Sequence, residues 1–489
     1  VGAEILEGGG NAVDAALATS LALAVVEPWM SGLGGGGLMV IAPAGGAPSE
    51  VIEFGMRAPF ALDPARYPVV GERDRDLFGW PRVEGDRNVS GPLAIATPGQ
   101  AAGLKLAYER HGSLPWAELC APAIALARQG LPLDWHAGLR IAFAARELSR
   151  FDAARAVYLP EGLPPAPPLD GSVGHLPLGR LAATLERIAE AGLQDLLTGE
   201  LARLLVDDIR QAGGVLSADD LGRYRARHAL PLAIPHGHAV IQAAPGLSAG
   251  PTLAHALSLV AGKVAPGRPD AAAYLAWAEA LRTAYERRLA TMGDVEDGRD
   301  PACTTHLAVV DRRGTMVSLT QTLLSLFGSK IVSPRTGILL NNGIMWFDPE
   351  PGRPNSMAPG KRPLANMCPV IATRDASPWF ALGASGGRKI MPAVLQLSSM
   401  LIDGGLDLET AFHVPRIDVS GEPYVTVDRR LEPGVQDALA ARFELRRLEA
   451  SVHPNLFACP SAVLSDPASS AAIGMADPFQ PVGGVAAAA

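Results

Sequence analysis

The chain has 489 residues, of which 48% are hydrophobic and 19% charged, and its formal net charge is −8. This composition supplies a large buried core and excludes a disordered protein. The acidic balance, without any Lys/Arg-rich run, excludes nucleic acid as a partner. The four cysteines (Cys120, Cys303, Cys368 and Cys459) lie far apart, which argues against a zinc ribbon and against a dense disulfide framework.

A buried helix is predicted over residues 11–27. Asn11 is a typical N-cap, Asp14 lies in the first turn where it favours the helix dipole, and Pro28 ends the helix. The apolar run from Ala15 to Val26 is too short to span a bilayer, so we expect no membrane partner. Glycines at 34–37 then lead into a predicted strand at 38–41, and a second strand is predicted at 51–54.

The middle of the chain is predicted to be mainly helical, and the last third mainly strands. Helical periodicity runs from 99 to about 205, around a Pro-rich loop at 160–168, and returns as two helices between 250 and 290. The polar segment 292–301 is the most linker-like stretch. Strands are predicted at 307–311, 316–320, 338–340, 370–373 and 379–382, with a hairpin turn at 311–314 and a helix at 391–406. Strands bracketed by helices predict a layered α/β protein.

The junction after the linker-like segment carries a candidate nucleophile, Thr304. If the chain is cut before Thr304, the freed α-amino group, with a pKa near ~7.7–8.0, can serve as the base for the hydroxyl of the same residue. Cleavage one residue earlier would make Cys303 the nucleophile instead. Taken alone, the β-branched and apolar residues here are also typical of an ordinary entry into a strand.

Several ordered motifs surround this junction. They are Gly9-Gly10-Asn11-Ala12-Val13-Asp14, Glu27-Pro28, Ser31-Gly32-Leu33-Gly34-Gly35-Gly36-Gly37, Ala96-Thr97-Pro98-Gly99, Thr320-Gln321-Thr322-Leu323, Phe327-Gly328-Ser329, Gly337-Ile338-Leu339-Leu340-Asn341-Asn342, Gly360-Lys361-Arg362-Pro363-Leu364 and Gly383-Ala384-Ser385-Gly386-Gly387. From about residue 1 to about residue 480, the chain resembles the γ-glutamyltransferase (γ-glutamyltranspeptidase) family of N-terminal-nucleophile hydrolases.

The resemblance implies an α/β (α+β) fold, a four-layer αββα sandwich. It also implies self-cleavage between Cys303 and Thr304, giving a large subunit (1–303) and a small subunit (304–489) that share one core as a heterodimer, which could dimerise further. We expect a small-molecule amide substrate and neither a cofactor nor a metal. The first strand of such proteins is expected before Val1, so the N-terminus is expected to be truncated. The compartment stays open between cytoplasm and periplasm.

The resemblance also assigns catalytic roles. Thr304 corresponds to the nucleophile, Thr322 to a threonine that orients it, and the pair Gly386 and Gly387 to the oxyanion-binding glycines. Backbone N–H groups in a glycine turn suit this last role, because side chains would obstruct a close approach. Without the resemblance, the glycine pair is also typical of a tight turn before a helix.

The residues that would bind a glutamate head group depart from the family pattern. The expected arginine corresponds to Gly55, with Arg57 two residues further on. The other departures are Leu324 for an asparagine, Gly343 and Trp346 for a glutamine and an aspartate, and Ala365 and Asn366 for a serine pair. Ser385 and Arg388, which flank the glycine pair, complete the predicted substrate-binding set, and Arg57 or Arg388 could meet a carboxylate.

These departures predict an amidohydrolase whose acyl group is not a standard γ-glutamyl group, such as a small oxo-acid amide or the acyl side chain of a cephalosporin. Two alternatives stay open: a true γ-glutamyltransferase with a rearranged head-group site, and an unprocessed binding scaffold. A serine esterase built on the Gly-x-Ser-x-Gly segments at 246–250 and 383–387, with His413 or His453, is disfavoured. The pair His236 and His238 is interpreted as surface or turn residues rather than metal ligands.

Overall fold

The computed structural model describes residues 1–73, 80–292, 303–452, 456–466, 471–481 and 483–488. The α-helices are α1 (Gly2–Glu7), α2 (Ala12–Val26), α3 (Gln100–His111), α4 (Trp116–Gln129), α5 (Trp135–Leu148), α6 (Asp152–Tyr158), α7 (Leu181–Ala191), α8 (Asp195–Thr198), α9 (Glu200–Gln211), α10 (Ala218–Arg223), α11 (Gly250–Val260), α12 (Ala271–Thr291), α13 (Ile390–Ile402), α14 (Leu408–His413) and α15 (Pro433–Ala440).

The β-strands are β1 (Gly36–Ala42), β2 (Glu50–Phe54), β3 (Val69–Arg73), β4 (Pro81–Val83), β5 (Leu131–Leu133), β6 (Gly174–Leu176), β7 (Arg227–Ala229), β8 (Leu232–His236), β9 (Ala239–Ala243), β10 (Cys303–Val310), β11 (Met316–Leu324), β12 (Val370–Arg374), β13 (Ser377–Ser385), β14 (Ile417–Asp418), β15 (Val425–Asp428), β16 (Leu445–Leu448), β17 (Cys459–Asp466) and β18 (Ala471–Ala476).

Two antiparallel sheets form the centre of the molecule. The five-stranded sheet has the order β10-β11-β1-β2-β7, and the six-stranded sheet has the order β18-β17-β13-β12-β9-β8. The strands on both sides of the 292–301 segment therefore belong to the same sheets: β1 pairs with β11, and β9 pairs with β12. The sequences before and after Thr304 build one core rather than two domains.

Strand β1 shows how the layers form, because it is buried on both faces. Leu38 and Val40 pack in the apolar cluster between the two sheets, whereas Met39 and Ile41 pack in the cluster that includes Leu21 of α2. A strand covered on both faces has a continuous apolar sequence, as alternate side chains point to opposite sides.

A third apolar cluster covers the outer face of the six-stranded sheet. It joins Trp277 of α12, Leu253 of α11 and Val394 of α13 to Val370 and Leu382 of the sheet. The order of layers is helices, sheet, sheet, helices, which confirms the predicted αββα fold.

The start of α2 agrees with its predicted cap. The Asn11 side chain accepts hydrogen bonds from the backbone N–H groups of Val13 and Asp14, and the Asp14 carboxylate accepts one from the Asn11 N–H at 3.0 Å. This reciprocal pair satisfies N–H groups that have no partner within the helix. None of the described helices is long and apolar enough to cross a membrane.

Three local predictions were wrong. Residues 338–340 are not a strand and make only the isolated bridges Gly34↔Leu340 and Val332↔Leu339. The helix predicted to reach 406 ends at Ile402, before two glycines of which Gly405 has φ +64°. His236 is buried rather than at the surface. Its Nε2 lies 2.8 Å from the Asp403 carboxylate, which gives the buried imidazole a polar partner. The linker-like prediction for 292–301 falls almost wholly outside the described residues.

Candidate active site

Thr304 lies next to the beginning of β10, an edge strand of the five-stranded sheet in the described structure. β10 pairs with β11 in regular register from Thr305↔Gln321 onward, but the register shifts between Cys303 and Thr305. The extra residue lies on β11, where Thr322 and Leu323 stand opposite the single residue Thr304. Such a bulge bends the longer strand and redirects its side chains. Thr304, opposite this bulge, is 5% exposed.

The hydroxyl of Thr322 on β11 lies beside that of Thr304. The two Oγ1 atoms are 3.5 Å apart, and Thr322 Oγ1 accepts a hydrogen bond of 2.7 Å from the backbone N–H of Leu324. Leu324 has φ +91°, an uncommon conformation for a residue with a side chain. This turn of the backbone brings the Leu324 N–H to the Thr322 hydroxyl and fixes it close to Thr304.

The glycines at 34–37 allow the backbones to approach each other next to Thr322. A Cβ atom at Gly35 would lie 2.3 Å from the carbonyl oxygen of Thr322, and one at Gly37 would lie 2.5 Å from that of Thr320. Both distances are shorter than van der Waals contact, so larger residues would push β1 away from β11. The glycine run therefore serves close packing under the candidate nucleophile.

His306 follows Thr304 on the same side of β10 and is neutral. Its Nδ1 lies 2.9 Å from Thr320 Oγ1, and burial lowers the pKa of its imidazole to about 3. An imidazole with so low a pKa is a poor proton acceptor near neutral pH. His306 is therefore poorly suited to act as a base for the Thr304 hydroxyl.

The predicted oxyanion glycines follow directly after β13. Gly386 has φ +130° and Gly387 has φ +60°, values that L side chains rarely adopt. The turn leads through one short helical turn into α13, and Ser385 before it lines the same cleft as Thr304. The glycine pair and the candidate nucleophile thus border one region of the molecule.

A cleft of about 390 Å³ adjoins Thr304 along the open edge of β10. One wall is formed by the end of α2, where Glu27 accepts a 2.6 Å hydrogen bond from the hydroxyl of Thr305. Burial raises the pKa of Glu27 to about 7. The described residues contain no group of three His, Cys, Asp or Glu side chains suited to a metal ion.

Two of the predicted substrate-binding positions are filled by apolar packing. Leu324 and Trp346 are each 3% exposed and belong to the core cluster between the sheets. Gly343 is enclosed as well, because a Cβ there would lie 2.6 Å from Met56 Sδ and 2.9 Å from Ala96 Cβ. The positions to which the resemblance assigns charged or amide side chains are thus closed by neighbouring atoms.

The two predicted arginines make other contacts. Arg57 Nε donates to the carbonyl oxygen of Gly360 at 2.5 Å, and its guanidinium lies 4.7 Å from the centre of the Phe60 ring. The backbone carbonyl of Arg388 accepts a hydrogen bond from the Tyr285 hydroxyl. Neither arginine lines the cleft at Thr304.

Sequence reasoning missed two polar groups: Glu27, which lines the cleft at Thr304, and Arg288, which contacts a predicted substrate-binding residue. In the sequence, Glu27 is marked only by the Glu27-Pro28 motif, and its contact with Thr305 joins residues 278 positions apart. Arg288 is buried in α12 and donates to the side chain of Asn366, a predicted substrate-binding residue. For Arg288, the only local sign was a basic residue inside an otherwise apolar helical pattern.

Comparison with known proteins places this geometry in a family. The γ-glutamyltranspeptidase family model matches residues 1–302 and 295–487. The chain belongs to the γ-glutamyltranspeptidase family. Within the N-terminal-nucleophile hydrolase superfamily, members of this family are hydrolases and transferases that act on amide bonds.

Three relatives show the breadth of this γ-glutamyltranspeptidase family. Acylase ACY 1 proenzyme of Pseudomonas sp. (strain V22) is 34% identical over 481 residues, covering 90% of this chain and 84% of that protein. Glutathione hydrolase proenzyme of Escherichia coli (strain K12) is 30% identical over 495 residues, covering 90% and 83%. The crystal structure of cephalosporin acylase from Bacillus halodurans superposes with a TM-score of 0.82 at 25% identity, covering 98% of this chain and 92% of that one.

Proposed function

We propose that this γ-glutamyltranspeptidase-family protein is a self-processed amidohydrolase in which Thr304 forms an acyl-enzyme with an acyl group other than γ-glutamyl. The observation that carries the proposal is the placement of Thr304 opposite a bulge of β11, next to the fixed hydroxyl of Thr322 and in a cleft shared with Ser385. The relatives named proenzymes support processing.

In the maturation step, Thr304 Oγ attacks the carbonyl carbon of Cys303, and the C–N bond of that peptide breaks as its nitrogen takes a proton. The resulting ester is hydrolysed by water, which leaves a carboxylate on Cys303 and a free α-amino group on Thr304. The products are polypeptides of residues 1–303 and 304–489. Because strands from both pair in the same two sheets, the two polypeptides stay associated.

In the catalytic cycle, the α-amino group of Thr304 accepts the hydroxyl proton while Oγ attacks the amide carbonyl of the substrate. Backbone N–H groups of the turn at 386–387 stabilise the negative oxygen of the tetrahedral intermediate. The intermediate collapses to an ester and releases the amine, which takes the proton. Water then attacks the ester carbonyl, which releases the acyl group as a carboxylic acid and returns a proton to Thr304 Oγ.

The acyl group is proposed from the substrate-binding residues. A buried α-amino group needs a carboxylate or another acceptor, yet Gly343 and Trp346 stand where the resemblance places a glutamine and an aspartate. Apolar packing encloses both residues and Leu324. This favours an acyl group without the α-amino group, in line with the similarity to proteins named acylase and cephalosporin acylase.

A gel and a panel of amides test the proposal. The purified wild-type protein should show two polypeptides under denaturing conditions, and sequencing of the smaller one should begin at Thr304. Among γ-glutamyl anilide, glutaryl anilide, oxamate and a cephalosporin amide, at least one donor without an α-amino group should be cleaved faster than γ-glutamyl anilide. The best rate with γ-glutamyl anilide would instead indicate a γ-glutamyltransferase with a rearranged head-group site, and a single intact polypeptide would indicate an unprocessed scaffold.

A further inference from the structure

The hydroxyl of Tyr285 on α12 contacts the turn that contains the candidate oxyanion glycines. It donates a hydrogen bond to the backbone carbonyl of Arg388, the residue directly after Gly387. Tyr285 is 2% exposed and packs in the apolar cluster on the outer face of the six-stranded sheet. Burial raises the pKa of its hydroxyl, so this group stays protonated and acts as a hydrogen-bond donor.

The sequence explains why the Arg388 carbonyl takes a donor from another helix. Within an α-helix, a backbone carbonyl accepts a hydrogen bond from the N–H group four residues further on. For Arg388 that residue is Pro392, in the first turn of α13, and proline has no N–H. The Tyr285 hydroxyl therefore provides the donor that Pro392 lacks.

Two peptide groups connect this hydrogen bond to the glycine pair. The Arg388 carbonyl and the Lys389 N–H belong to one planar peptide group. The Lys389 N–H in turn donates to the Gly386 carbonyl at 3.2 Å. The Gly386 carbonyl and the Gly387 N–H form the second peptide group. We call this series, from the Tyr285 hydroxyl to the Gly387 N–H, the peptide relay.

The Gly387 N–H at the end of the peptide relay is available to a substrate. Gly387 is the first residue of the short helical turn Gly387–Lys389, so its N–H has no partner within that turn. Elsewhere among the described residues it makes no hydrogen bond. In a trans peptide group the N–H points opposite to the carbonyl. Because the Gly386 carbonyl faces Lys389 inside the turn, the Gly387 N–H points out of it.

Other contacts hold the same turn in place. A Cβ at Gly386 would lie 2.9 Å from Ala458 Cα, and Lys389 Nζ donates to the carbonyl of Leu456 at 2.8 Å. These contacts fix where the turn lies. The peptide relay instead fixes the direction of the Gly387 N–H, because rotation of the peptide group after Arg388 would break the hydrogen bond to the Gly386 carbonyl.

We propose that Tyr285 is a positioning residue: through the peptide relay, its hydroxyl aims and polarises the Gly387 N–H that stabilises the negative oxygen of the tetrahedral intermediate. Each hydrogen bond in such a chain strengthens the next, because it polarises the peptide group between them. A donor that is fixed before the reaction stabilises the developing charge without reorganisation. The inference rests on the proposed function, because it specifies how the glycine turn serves the reaction of Thr304.

Tyr285→Phe tests the peptide relay, because it removes the hydroxyl and keeps the ring. Removing an oxyanion donor costs about 10²–10³ in kcat, and a donor that is misdirected rather than removed should cost less, about 10-fold. The substrate is the amide of the panel above that wild type cleaves fastest. KM should stay within about twofold, since only the intermediate carries the negative oxygen. The rise of activity with pH should not move, because the α-amino group of Thr304 lies outside the relay.

Tyr274→Phe is the matched control. Tyr274 lies on the same helix, is also 2% exposed, and its hydroxyl donates to the carbonyl oxygen of Pro415 at 2.6 Å. Each variant loses one hydrogen bond to a backbone carbonyl, so both should lower Tm by a similar amount. Tyr285→Phe should lower kcat, whereas Tyr274→Phe should keep it within about twofold of wild type.

The outcomes separate the role of Tyr285 from the proposed function. A processed Tyr285→Phe with wild-type kcat, a change confined to KM, or an equal loss of kcat in both variants would overturn the role of Tyr285 and leave Thr304 as the nucleophile. If wild type cleaves no amide of the panel and forms no ester on Thr304, the proposed function fails together with this inference.

A Tyr285→Phe protein that is not processed also gives a decision, through its Tm. Self-cleavage passes through a negative tetrahedral oxygen as well, so a Tm equal to that of Tyr274→Phe would support the peptide relay. A Tm clearly below that of Tyr274→Phe would show that the hydroxyl serves the fold, and would overturn the inference.

Discussion

The nucleophile side and the acyl side of the candidate site differ in what fixes their residues. On the nucleophile side, Thr304 and Thr322 lie on paired strands, and backbone features position them: a bulge and the left-handed turn at Leu324. On the acyl side, side chains such as Leu324 and Trp346 fill the space, at positions where the resemblance predicts polar residues. Residues that the backbone positions can be retained while the side chains that fill the acyl side change. Shared chemistry therefore does not imply a shared substrate.

The largest expected effect concerns the nucleophile side. Thr304→Ala should leave one intact polypeptide and lower amidase activity by at least ~10³-fold, since the alanine side chain has no oxygen to attack the amide and form the ester. Thr304→Ser retains a hydroxyl on the same backbone and should still be processed. The measurements are a denaturing gel and kcat on the best donor. A processed, active Thr304→Ala protein would move the nucleophile elsewhere, with Cys303 the first candidate.

The next effect concerns the acyl side. Wild-type kcat/KM for glutathione should lie below ~10⁴ M⁻¹s⁻¹, the lower edge of ordinary enzyme efficiency. Missing one partner of a charged head group costs ~2–5 kcal/mol, or about 30- to several-thousand-fold. A value above that edge would show that other residues bind the glutamate head.

Two substitutions introduce residue types that the resemblance predicts on the acyl side, and the space around each glycine predicts which substitution the fold tolerates. A Cβ at Gly55 meets nothing within 4 Å, so Gly55→Arg should fold and raise the γ-glutamyl rate relative to the glutaryl rate. Gly343→Gln would push against Met56 and Ala96 and should lower Tm by several degrees, as overpacking costs ~1–3 kcal/mol. Equal Tm values for the two variants would contradict the closed packing around Gly343.

Much of the fold could be predicted from the sequence, because caps, apolar runs and glycines act locally. The capped helix after Asn11 and the doubly buried strand at 38–41 were both predicted within a residue or two. Side-chain contacts such as Thr305 with Glu27, or Arg288 with Asn366, depend on segments 278 and 78 positions apart. Periodicity in the sequence carries no signal of such contacts. The enclosure of Leu324, Gly343 and Trp346 is therefore visible only in the packed structure.

A smaller effect is expected at Thr322. Thr322→Val keeps the shape of the side chain but removes the hydroxyl beside Thr304, and should lower kcat by about 10- to 100-fold, the worth of one hydrogen bond to a charged or reacting group. Thr322→Ser should recover most of the loss. If Thr322→Val loses turnover and also has a lower Tm, while Thr322→Ser keeps the wild-type Tm, Thr322 has a packing role instead.

The smallest effect concerns the pH dependence of stability at Glu27. Its pKa is about 7 in the folded protein against a reference of 4.5, because burial disfavours the carboxylate. Below pH 4.5 the group is protonated in both states and makes no difference. As the pH rises through about 7, the unfolded chain has already lost this proton while the folded protein resists losing it, so stability falls.

Glu27→Gln cannot ionise and should escape this loss, so its Tm relative to wild type should be higher at pH 8 than at pH 5. Glu286→Gln, at an exposed position on α12, is the control and should show the same Tm difference at both pH values. A Tm difference for Glu27→Gln that shrinks from pH 5 to pH 8 would mean that the carboxylate, through its hydrogen bond from Thr305, stabilises the strand beside the nucleophile in its charged form.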